Sequence, residues 1–338
     1  MAASISIGRT YDLALSPDDH LLAIAYADGP ARVYDAATGG FLLTLEGYTD
    51  KTVDEVFRGQ YSVDFSPDGK RLATGGADGF AHVWDVTTGE RLLAIDAHDP
   101  AINTGSVVYG TAAVRFSPDG SQLVTAGSDG WVHVWNAETG EKLLSFLANA
   151  AGVRKVIYSP DGRLLATGHE GETAKIWDAS TGQELVSLPG HPVRVIALAF
   201  SPDGSLLVTS AFGGVVKVWD VATGKERYTL PSQISSVSSV LFSPDGRFLA
   251  TGGGDAVRIW DAATGEERLT LIQQQGKIAF SQDGSRLYFN DINGVILVFT
   301  LSLDDLTAIA ESRLTRWFTP AECLQYLHTE TCPPSPWE

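Results

Sequence analysis

The chain has little cysteine and methionine, few basic residues and no long apolar run. Its 338 residues include 2 Cys and 1 Met, and 24 Lys and Arg stand against 41 Asp and Glu, for a net charge of −17. Nucleic-acid-binding proteins usually carry a clustered basic face, so this charge argues against a nucleic-acid partner. No apolar stretch approaches the roughly 20 residues that a membrane helix requires. We therefore expect a folded soluble protein without a nucleic-acid or membrane partner.

Other signals are missing as well. Residues 1–10 have neither a basic start nor a long apolar run, so we expect no secretory signal and a cytoplasmic location. No Gly-Lys-Ser or Gly-Lys-Thr occurs, so the phosphate loop of an NTPase is absent. The only cysteines, Cys323 and Cys332, flank His328. We expect reduced thiols and no metal, because zinc would need a fourth ligand from elsewhere, and we expect no cofactor.

What the sequence does contain is a repeat. Each unit begins with a Ser-Pro-Asp or Ser-Gln-Asp turn and runs to an aromatic residue that usually precedes Asp. The turns begin at Ser16, Ser66, Ser117, Ser159, Ser201, Ser243 and Ser281, and the aromatic residues are Tyr34, Trp84, Trp135, Trp177, Trp219, Trp260 and Phe299. One period along nearly the whole chain predicts a single large repeat domain with an appended tail.

The second unit, residues 61–95, shows how each repeat is expected to fold. Four short, largely apolar runs are separated by turn residues, which predicts four strands. Ser66-Pro67-Asp68-Gly69 matches a type I turn, because the proline presets the φ of the second position. After Asp85, Gly89 supplies the positive φ that ends a longer hairpin loop. One such sheet cannot bury both faces alone, but radial stacking buries each face against a neighbour.

The period, the turns and the Trp-Asp endings resemble those of the WD-repeat β-propeller family. The resemblance implies an all-β fold, a seven-bladed β-propeller of four-stranded antiparallel blades over residues 1–301. It also implies a buried hydrogen-bond network within a blade, which can be assembled best here from His98, Thr125, Asp129 and Trp135. We interpret these four as structural, since buried polar groups need partners and make a unit rigid when they are satisfied.

The two chain ends complete this expectation. After Phe299 the sequence reads as helix, so the seventh blade lacks an outer strand, and residues 4–7 are expected to supply it and close the ring. Residues 302–338 are predicted to form a short helical tail packed on the propeller, with a helix start at Thr319. This tail resembles the ending of propellers in large bacterial signalling proteins, including NTPases of the STAND class. That resemblance implies a sensor domain that works with other domains of a larger protein.

Unequal spacing of the units indicates where a partner binds. The extra residues fall in two adjacent connections, 47–59 and 96–110, that emerge on one face of the ring. Neighbouring enlarged loops on a rigid scaffold favour a protein or peptide partner, held by aromatic and arginine anchors. The candidate partner-binding residues are Tyr48, Phe57, Arg58, Tyr109, Trp131 and Arg194. Neutral insertion of loop residues is the alternative.

The favoured function is therefore a non-catalytic interaction scaffold or sensor domain, and two other classes stay open. One is a propeller enzyme with a site in the central channel. No paired carboxylates, metal-spaced histidines or nucleophile elbow stand apart from the repeat, so we name no catalytic residue; a strongly perturbed pKa deep in the channel would favour this class. The other is a structural oligomerisation piece, which a symmetric contact through the tail would favour.

Overall fold

The computed structural model of the chain describes residues 10–26, 29–46, 59–99, 110–231, 236–254, 256–272, 274–291 and 296–301. The chain divides into two compact units, residues 1–298 and 299–338, and the second is described only for its first three residues. The predicted strand at 4–7 and the predicted helical tail at 302–338 lie outside the described residues. Within those residues, no helix has the length and hydropathy needed to span a bilayer.

The described residues form seven antiparallel sheets, the blades, in which consecutive strands pair from the inside outward. Blade 1 contains β1 (Thr10–Leu15), β2 (Leu21–Tyr26), β3 (Ala31–Asp35) and β4 (Phe41–Leu45). Blade 2 contains β5 (Gln60–Phe65), β6 (Arg71–Gly76), β7 (Phe80–Asp85) and β8 (Arg91–Asp96). Blade 3 contains β9 (Thr111–Phe116), β10 (Gln122–Gly127), β11 (Trp131–Asn136) and β12 (Lys142–Leu147). Blade 4 contains β13 (Val153–Tyr158), β14 (Leu164–His169), β15 (Ala174–Asp178) and β16 (Glu184–Leu188), and blade 5 contains β17 (Val195–Phe200), β18 (Leu206–Ala211), β19 (Val216–Asp220) and β20 (Glu226–Thr229). Blade 6 contains β21 (Val237–Phe242), β22 (Phe248–Gly253), β23 (Ala256–Asp261) and β24 (Glu267–Ile272). Blade 7 contains β25 (Gln274–Phe280), β26 (Arg286–Asp291) and β27 (Ile296–Thr300). The all-β, seven-bladed propeller is confirmed, with three strands of blade 7 in the described part.

The two kinds of turn take the predicted conformations. In blade 2 the Gly69 amide donates to the Ser66 carbonyl at 2.8 Å, the bond of a type I turn. The Ser66 hydroxyl donates to Asp68 and accepts from the Arg71 amide at 2.9 Å, so the side chains hold both ends of the turn. Gly89 has φ 72°, as expected for the hairpin loop after the aromatic residue. Short polar side chains and glycine therefore set the length of every strand that they separate.

The core lies between blades rather than within them. Leu13 and Ile24 of blade 1 pack in one buried cluster with Tyr288 and Ile296 of blade 7. Because the first and last blades share this cluster, the described residues already close the ring. Burial against both neighbours is what a single small sheet could not achieve alone.

The turns at the seam between blades 7 and 1 depart from the repeat. In the other blades a turn glycine lies against the turn proline of the preceding blade, as Gly69 does against Pro17. At the seam, Asp19 stands in the glycine position with φ 60°, and Gln282 stands in the proline position. The Gln282 amide, which proline would lack, donates to the Asp19 carboxylate at 2.8 Å. The two departures therefore complement each other across the ring closure.

Candidate functional site

Strand direction divides the candidate residues between two faces of the ring. The first and third strands of each blade begin on the face that carries the connections between blades, such as 148–152 and 189–194. We call this the connection face. The Ser-Pro-Asp turns, such as 66–69, lie on the opposite side, which we call the turn face. Trp131 and Arg194, the two predicted partner-binding residues that the structure describes, both lie on the connection face.

The structure brings together the four residues of the predicted structural network in blade 3. His98 Nδ1 lies 3.0 Å from Asp129 Oδ1, and His98 Nε2 lies 3.0 Å from the Thr125 hydroxyl. The Trp135 indole donates to the same hydroxyl at 3.0 Å. Burial raises the pKa of Asp129, but the hydrogen bonds from His98 and the Trp131 amide, with the neighbouring histidines, together outweigh it, so the pKa is lowered.

The proton positions in this network follow from what each group can donate. An ionised Asp129 only accepts, so His98 Nδ1 carries a proton, and in the neutral ring Nε2 then accepts. The Thr125 hydroxyl donates to Nε2 and accepts from the Trp135 indole, which can only donate. Every buried donor meets an acceptor, so the four groups form one relay from indole to carboxylate.

Other blades keep only part of the relay. The Trp-to-Thr hydrogen bond recurs as Trp84–Thr74, Trp177–Thr167, Trp219–Thr209 and Trp260–Thr251. In blade 5 the His191 Nε2 lies 2.6 Å from the Thr209 hydroxyl, but Gly213 stands where Asp129 does in blade 3, and the buried Nδ1 has no hydrogen-bond partner. Burial accordingly lowers the pKa of His191 to about 4.

Blade 4 supplies the imidazole from a different position. His169 ends β14, in the place that Gly127 holds in blade 3, and its Nε2 lies 2.8 Å from the Thr167 hydroxyl. In blade 3 a Cβ at Gly127 would come within 2.5 Å of the His98 ring. The glycine therefore leaves room for a histidine from the loop, and where that loop histidine is missing, His169 contacts the threonine from its own strand.

The exposed Trp131 sits directly on this network. Its backbone amide donates to Asp129 at 3.1 Å, so the carboxylate that binds His98 also holds the turn that presents the tryptophan. Its ring stacks on His133 with centroids 6.0 Å apart, and His133 stacks on His98 at 4.9 Å. Trp131 is 39% exposed. An unbroken stack thus links an exposed aromatic anchor to a rigid interior.

Arg194 belongs to a second exposed group on the same face. Its guanidinium lies over the Phe212 ring, 4.4 Å from the centroid, and its carbonyl accepts the Phe212 amide at 3.0 Å. Phe212 is 49% exposed and the neighbouring Val193 is 40% exposed. Tyr48, Phe57, Arg58 and Tyr109 lie outside the described residues, so their relation to Trp131 and Arg194 stays a prediction.

Sequence reasoning missed a charged cluster in the central channel. The Asp12 carboxylate of blade 1 accepts from the Arg115 guanidinium of blade 3 at 3.0 Å and from the Ser62 hydroxyl of blade 2 at 3.1 Å. Lys155 Nζ of blade 4 lies 3.8 Å from the same carboxylate, and Lys277 of blade 7 donates to the Ser238 carbonyl at 2.8 Å. One feature of the sequence could have indicated this cluster: some inner strands carry ionisable residues at positions where other blades have alanine.

Burial and neighbouring charges perturb the channel groups. Burial raises the pKa of Asp12, but the charges of Lys155, Arg115 and Lys277 together outweigh it and hold the pKa well below its usual range. Burial raises the pKa of Asp64, whose carboxylate accepts the Phe116 amide at 2.7 Å, to about 6. Burial, and then the positive charge of Lys155, lowers the pKa of Lys277 to about 7. The feature that we expected of a channel enzyme is therefore present, although structural ion-pair networks shift pKa values in the same way.

One group on the connection face has the composition of a metal site but not its geometry. Ligand atoms of His98, Asp129 and His133 lie within 4.8 Å of one another. The two imidazole rings are stacked, with 27° between their planes, so their lone pairs point side by side instead of toward one centre. His133 Nδ1 lies 2.8 Å from the Ser145 hydroxyl, and His98 uses both nitrogens in the relay. Hydrogen bonding accounts for this group.

Comparison with known families assigns the chain. Five segments match the model of the WD40 repeat, described as WD domain, G-beta repeat: residues 39–85, 89–136, 140–178, 182–220 and 224–261. They cover more than half of the chain, which therefore belongs to the WD40 repeat family. No curated protein matches the chain. Each segment runs from the outer strand of one blade through the third strand of the next, so the described strands left unmatched are the first three of blade 1, the outer strand of blade 6 and those of blade 7.

Family membership sets the general class of function. WD40 propellers are generally scaffolds for protein interaction that bind proteins or peptides, and they are typically non-catalytic. The chain therefore belongs to a class in which the site is a surface on a rigid ring. The relay of blade 3 has the contacts of a structural element, and the exposed side chains on the connection face are the candidates for recognition.

Proposed function

We propose that this chain is an interaction scaffold or sensor domain that binds a protein or peptide on the connection face. The observation that carries the proposal is the stack from the exposed Trp131 through His133 to the buried His98. Tryptophan and arginine are enriched among the residues that dominate binding energy, and a side chain already held in place loses little entropy when it is bound.

The second anchor group fits the same use. Phe212 and Val193 expose apolar surface, and Arg194 covers one side of the Phe212 ring. A partner that stacks on the ring and accepts from the guanidinium would bury both. The two anchor groups lie on blades 3 and 5, so an extended peptide or a protein surface suits them better than a small molecule.

The remaining anchors and the wider context belong to the proposal as well. The loops 47–59 and 96–110 are proposed to contribute Tyr48, Phe57, Arg58 and Tyr109 to the same surface. Action as a sensor domain beside other domains of a larger signalling protein, in the cytoplasm, is proposed from the sequence of the tail and from the composition.

Peptide display tests the proposal while the partner is still unidentified. A random peptide library is selected on the wild-type protein, and the affinity of enriched peptides is measured by calorimetry. The triple variant Trp131→Ala, Arg194→Ala, Phe212→Ala is expected to bind them more than about thirtyfold more weakly, because truncating one anchor residue costs about 2 kcal/mol or more.

The matched control carries substitutions elsewhere on the surface. Leu92→Ala with Leu143→Ala truncates side chains that are 48% and 49% exposed on the outer strands of blades 2 and 3. This control is expected to bind the peptides like the wild type. Peptides that bind the triple variant and the wild type equally well, with both proteins folded by circular dichroism, would contradict the proposed face. Light scattering of the unliganded protein separates this function from oligomerisation.

A further inference from the structure

The loop histidine of blade 5 is held in the same way as that of blade 3. The His191 amide donates to the Glu172 carbonyl at 3.2 Å, and the His98 amide donates to the equivalent carbonyl, that of Gly79, at 2.9 Å. His191 Nε2 lies 2.6 Å from the Thr209 hydroxyl, which repeats the contact of the blade 3 relay. Equivalent contacts therefore fix both the backbone and the ring of the two histidines.

The imidazole of His191 presents a donor that has no acceptor. The Thr209 hydroxyl accepts from the Trp219 indole at 2.7 Å, so its own proton goes to His191 Nε2. Burial lowers the pKa of His191 to about 4, so the ring is neutral at pH 7 and carries its proton on Nδ1. This buried N–H has no hydrogen-bond partner within the described part of the chain. A buried donor without an acceptor is destabilising, so a group that accepts from it is favoured.

In blade 3 the acceptor is a side chain of the blade itself, and blade 5 has glycine at that position. Asp129 lies 3.0 Å from His98 Nδ1 and accepts the Trp131 amide at 3.1 Å. In blade 5 the equivalent positions are those of Gly213 and of the Val215 amide. Gly213 is exposed, and a Cβ there would meet no atom beyond the adjoining residues within 4 Å. An acceptor from another molecule can therefore approach the imidazole from the side of Gly213.

The surroundings of Gly213 favour a negatively charged acceptor. Phe212 precedes this glycine, and the Arg194 guanidinium lies over the Phe212 ring, 4.4 Å from its centroid. Hydrogen bonds to an ionised acceptor are stronger than those to a neutral one, and a guanidinium nearby adds to the attraction. A carboxylate therefore suits the site better than a backbone carbonyl.

We propose that blade 5 binds an Asp or Glu side chain of a protein or peptide partner, whose carboxylate accepts from His191 Nδ1 and the Val215 amide beside Gly213. The partner then completes in blade 5 the relay that Asp129 completes within blade 3. This inference rests on the function proposed for the connection face, and it names the chemistry of one partner residue.

The peptides enriched on the wild-type protein test this site when they are synthesised with an amidated C-terminus, so that every carboxylate is a side chain. Each Asp and Glu is replaced in turn by Asn or Gln. One replacement in each peptide is expected to weaken binding to the wild type by at least about tenfold, because a charged hydrogen bond is lost. On His191→Gln the same replacement should change affinity by less than about threefold, since glutamine keeps an acceptor for the Thr209 hydroxyl but lacks the Nδ1 donor.

His169→Gln is the matched control. His169 is also buried and contacts the Thr167 hydroxyl through Nε2, but its Nδ1 lies 3.4 Å from the Thr173 hydroxyl. This variant should therefore keep the full effect of the acid replacement. An effect of the same size in the wild type and in folded His191→Gln would overturn the proposal, and so would peptides in which no acid replacement weakens binding.

Proton uptake by the wild type provides a second readout that requires no variant to fold. A carboxylate against Nδ1 favours the charged imidazole, so the pKa of His191 should rise from about 4 when an acidic peptide binds. Calorimetry at about pH 5 in buffers of different ionisation enthalpy should show net proton uptake for the acidic peptide but not for its Asn or Gln analogue. Lys217 and Glu226, which also act on this imidazole, are the same in both titrations. Equal uptake with the two peptides would contradict the carboxylate site.

The two proposals can fail separately. Peptides that lose affinity for the triple variant, while no acid replacement weakens them, would leave the connection face as the binding surface and refute only the carboxylate site. Peptides that bind the triple variant like the wild type would exclude the binding face and, with it, the carboxylate site.

Discussion

The relay of blade 3 makes a quantitative prediction for Thr125→Val. Valine has nearly the shape of threonine but no hydroxyl, and Thr125 is 0% exposed. The substitution leaves two buried groups without partners, the Trp135 indole N–H and His98 Nε2. An unsatisfied buried group costs about 1–3 kcal/mol, so we expect a loss of roughly 2–6 kcal/mol in the free energy of unfolding.

Blade 2 contains a matched control. Thr74 is 1% exposed, and the hydrogen bond of its hydroxyl is the one from the Trp84 indole. Thr74→Val therefore leaves one group unpaired, at a cost of about 1–3 kcal/mol, while the added methyl group contributes equally in both variants. We expect Thr125→Val to be the more destabilising of the two by about 2 kcal/mol, the contribution of the bond to His98.

Urea titration measures both variants, followed by far-UV circular dichroism and by tryptophan fluorescence. Coincident transitions from the two probes establish that a single unfolding free energy is defined for each protein. Equal losses for Thr125→Val and Thr74→Val, within about 0.5 kcal/mol, would refute the relay, because the hydrogen bond to His98 would then contribute nothing.

Two further predictions concern the channel and the network. Asp64 has a folded-state pKa of about 6 against an ordinary value of 3.8, so the folded state holds this proton more tightly and loses stability as pH rises from about 4 to 6. In urea titrations, the free energy of unfolding of Asp64→Asn should rise relative to that of the wild type by on the order of 2–3 kcal/mol from pH 4 to 7. A difference between the two proteins that does not change with pH would contradict the raised pKa of Asp64. Gly127→Ala places a Cβ 2.5 Å from the His98 ring and should cost about 1–3 kcal/mol, whereas Gly171→Ala meets open space and should change stability by less than about 1 kcal/mol; similar losses for both would show that the ring is not confined.

Most of the fold could be predicted from the sequence because its determinants are local. The turn at Ser66-Pro67-Asp68-Gly69 uses side chains two to five residues apart, and the same spacing recurs in every unit. Because the units are regularly spaced, a unit that lacks some of the usual residues can still be recognised from its position in the repeat. Blade 1 has Tyr34 and blade 7 has Phe299 where the other blades have Trp, and both blades form where the repeat predicts them although the family model leaves their first three strands unmatched.

The contacts inside the blades were predictable only where every member kept its usual position. His98, Thr125, Asp129 and Trp135 occupy the expected places in blade 3, and they are in hydrogen-bond contact. The repeat pattern predicts no role for His169, because it reaches Thr167 from a position that is glycine in blade 3. When two blades make equivalent contacts from different positions in the repeat, aligning the repeats does not reveal that the contacts are equivalent.

The channel cluster could not be predicted for a different reason. Asp12 and Arg115 are 103 residues apart, and each looks like an ordinary polar residue of its own strand. Their interaction depends on how far the inner strands of blades 1 and 3 approach across the ring, which no local pattern specifies. The same holds for Lys155 and Lys277, whose mutual repulsion appears only when the ring is closed.

The hydrogen bond between Asp19 and Gln282 helps to set the number of blades in the closed ring. Stacking of near-identical blades could in principle stop after any number of units, since each interface resembles the next. If a middle blade met blade 7 instead, it would present a turn glycine such as Gly120, and the Gln282 amide would find no carboxylate. The first and last blades therefore have complementary turns. A ring with the wrong number of blades, or a ring joined to another copy at the wrong blade, would lack a hydrogen bond that the native closure makes.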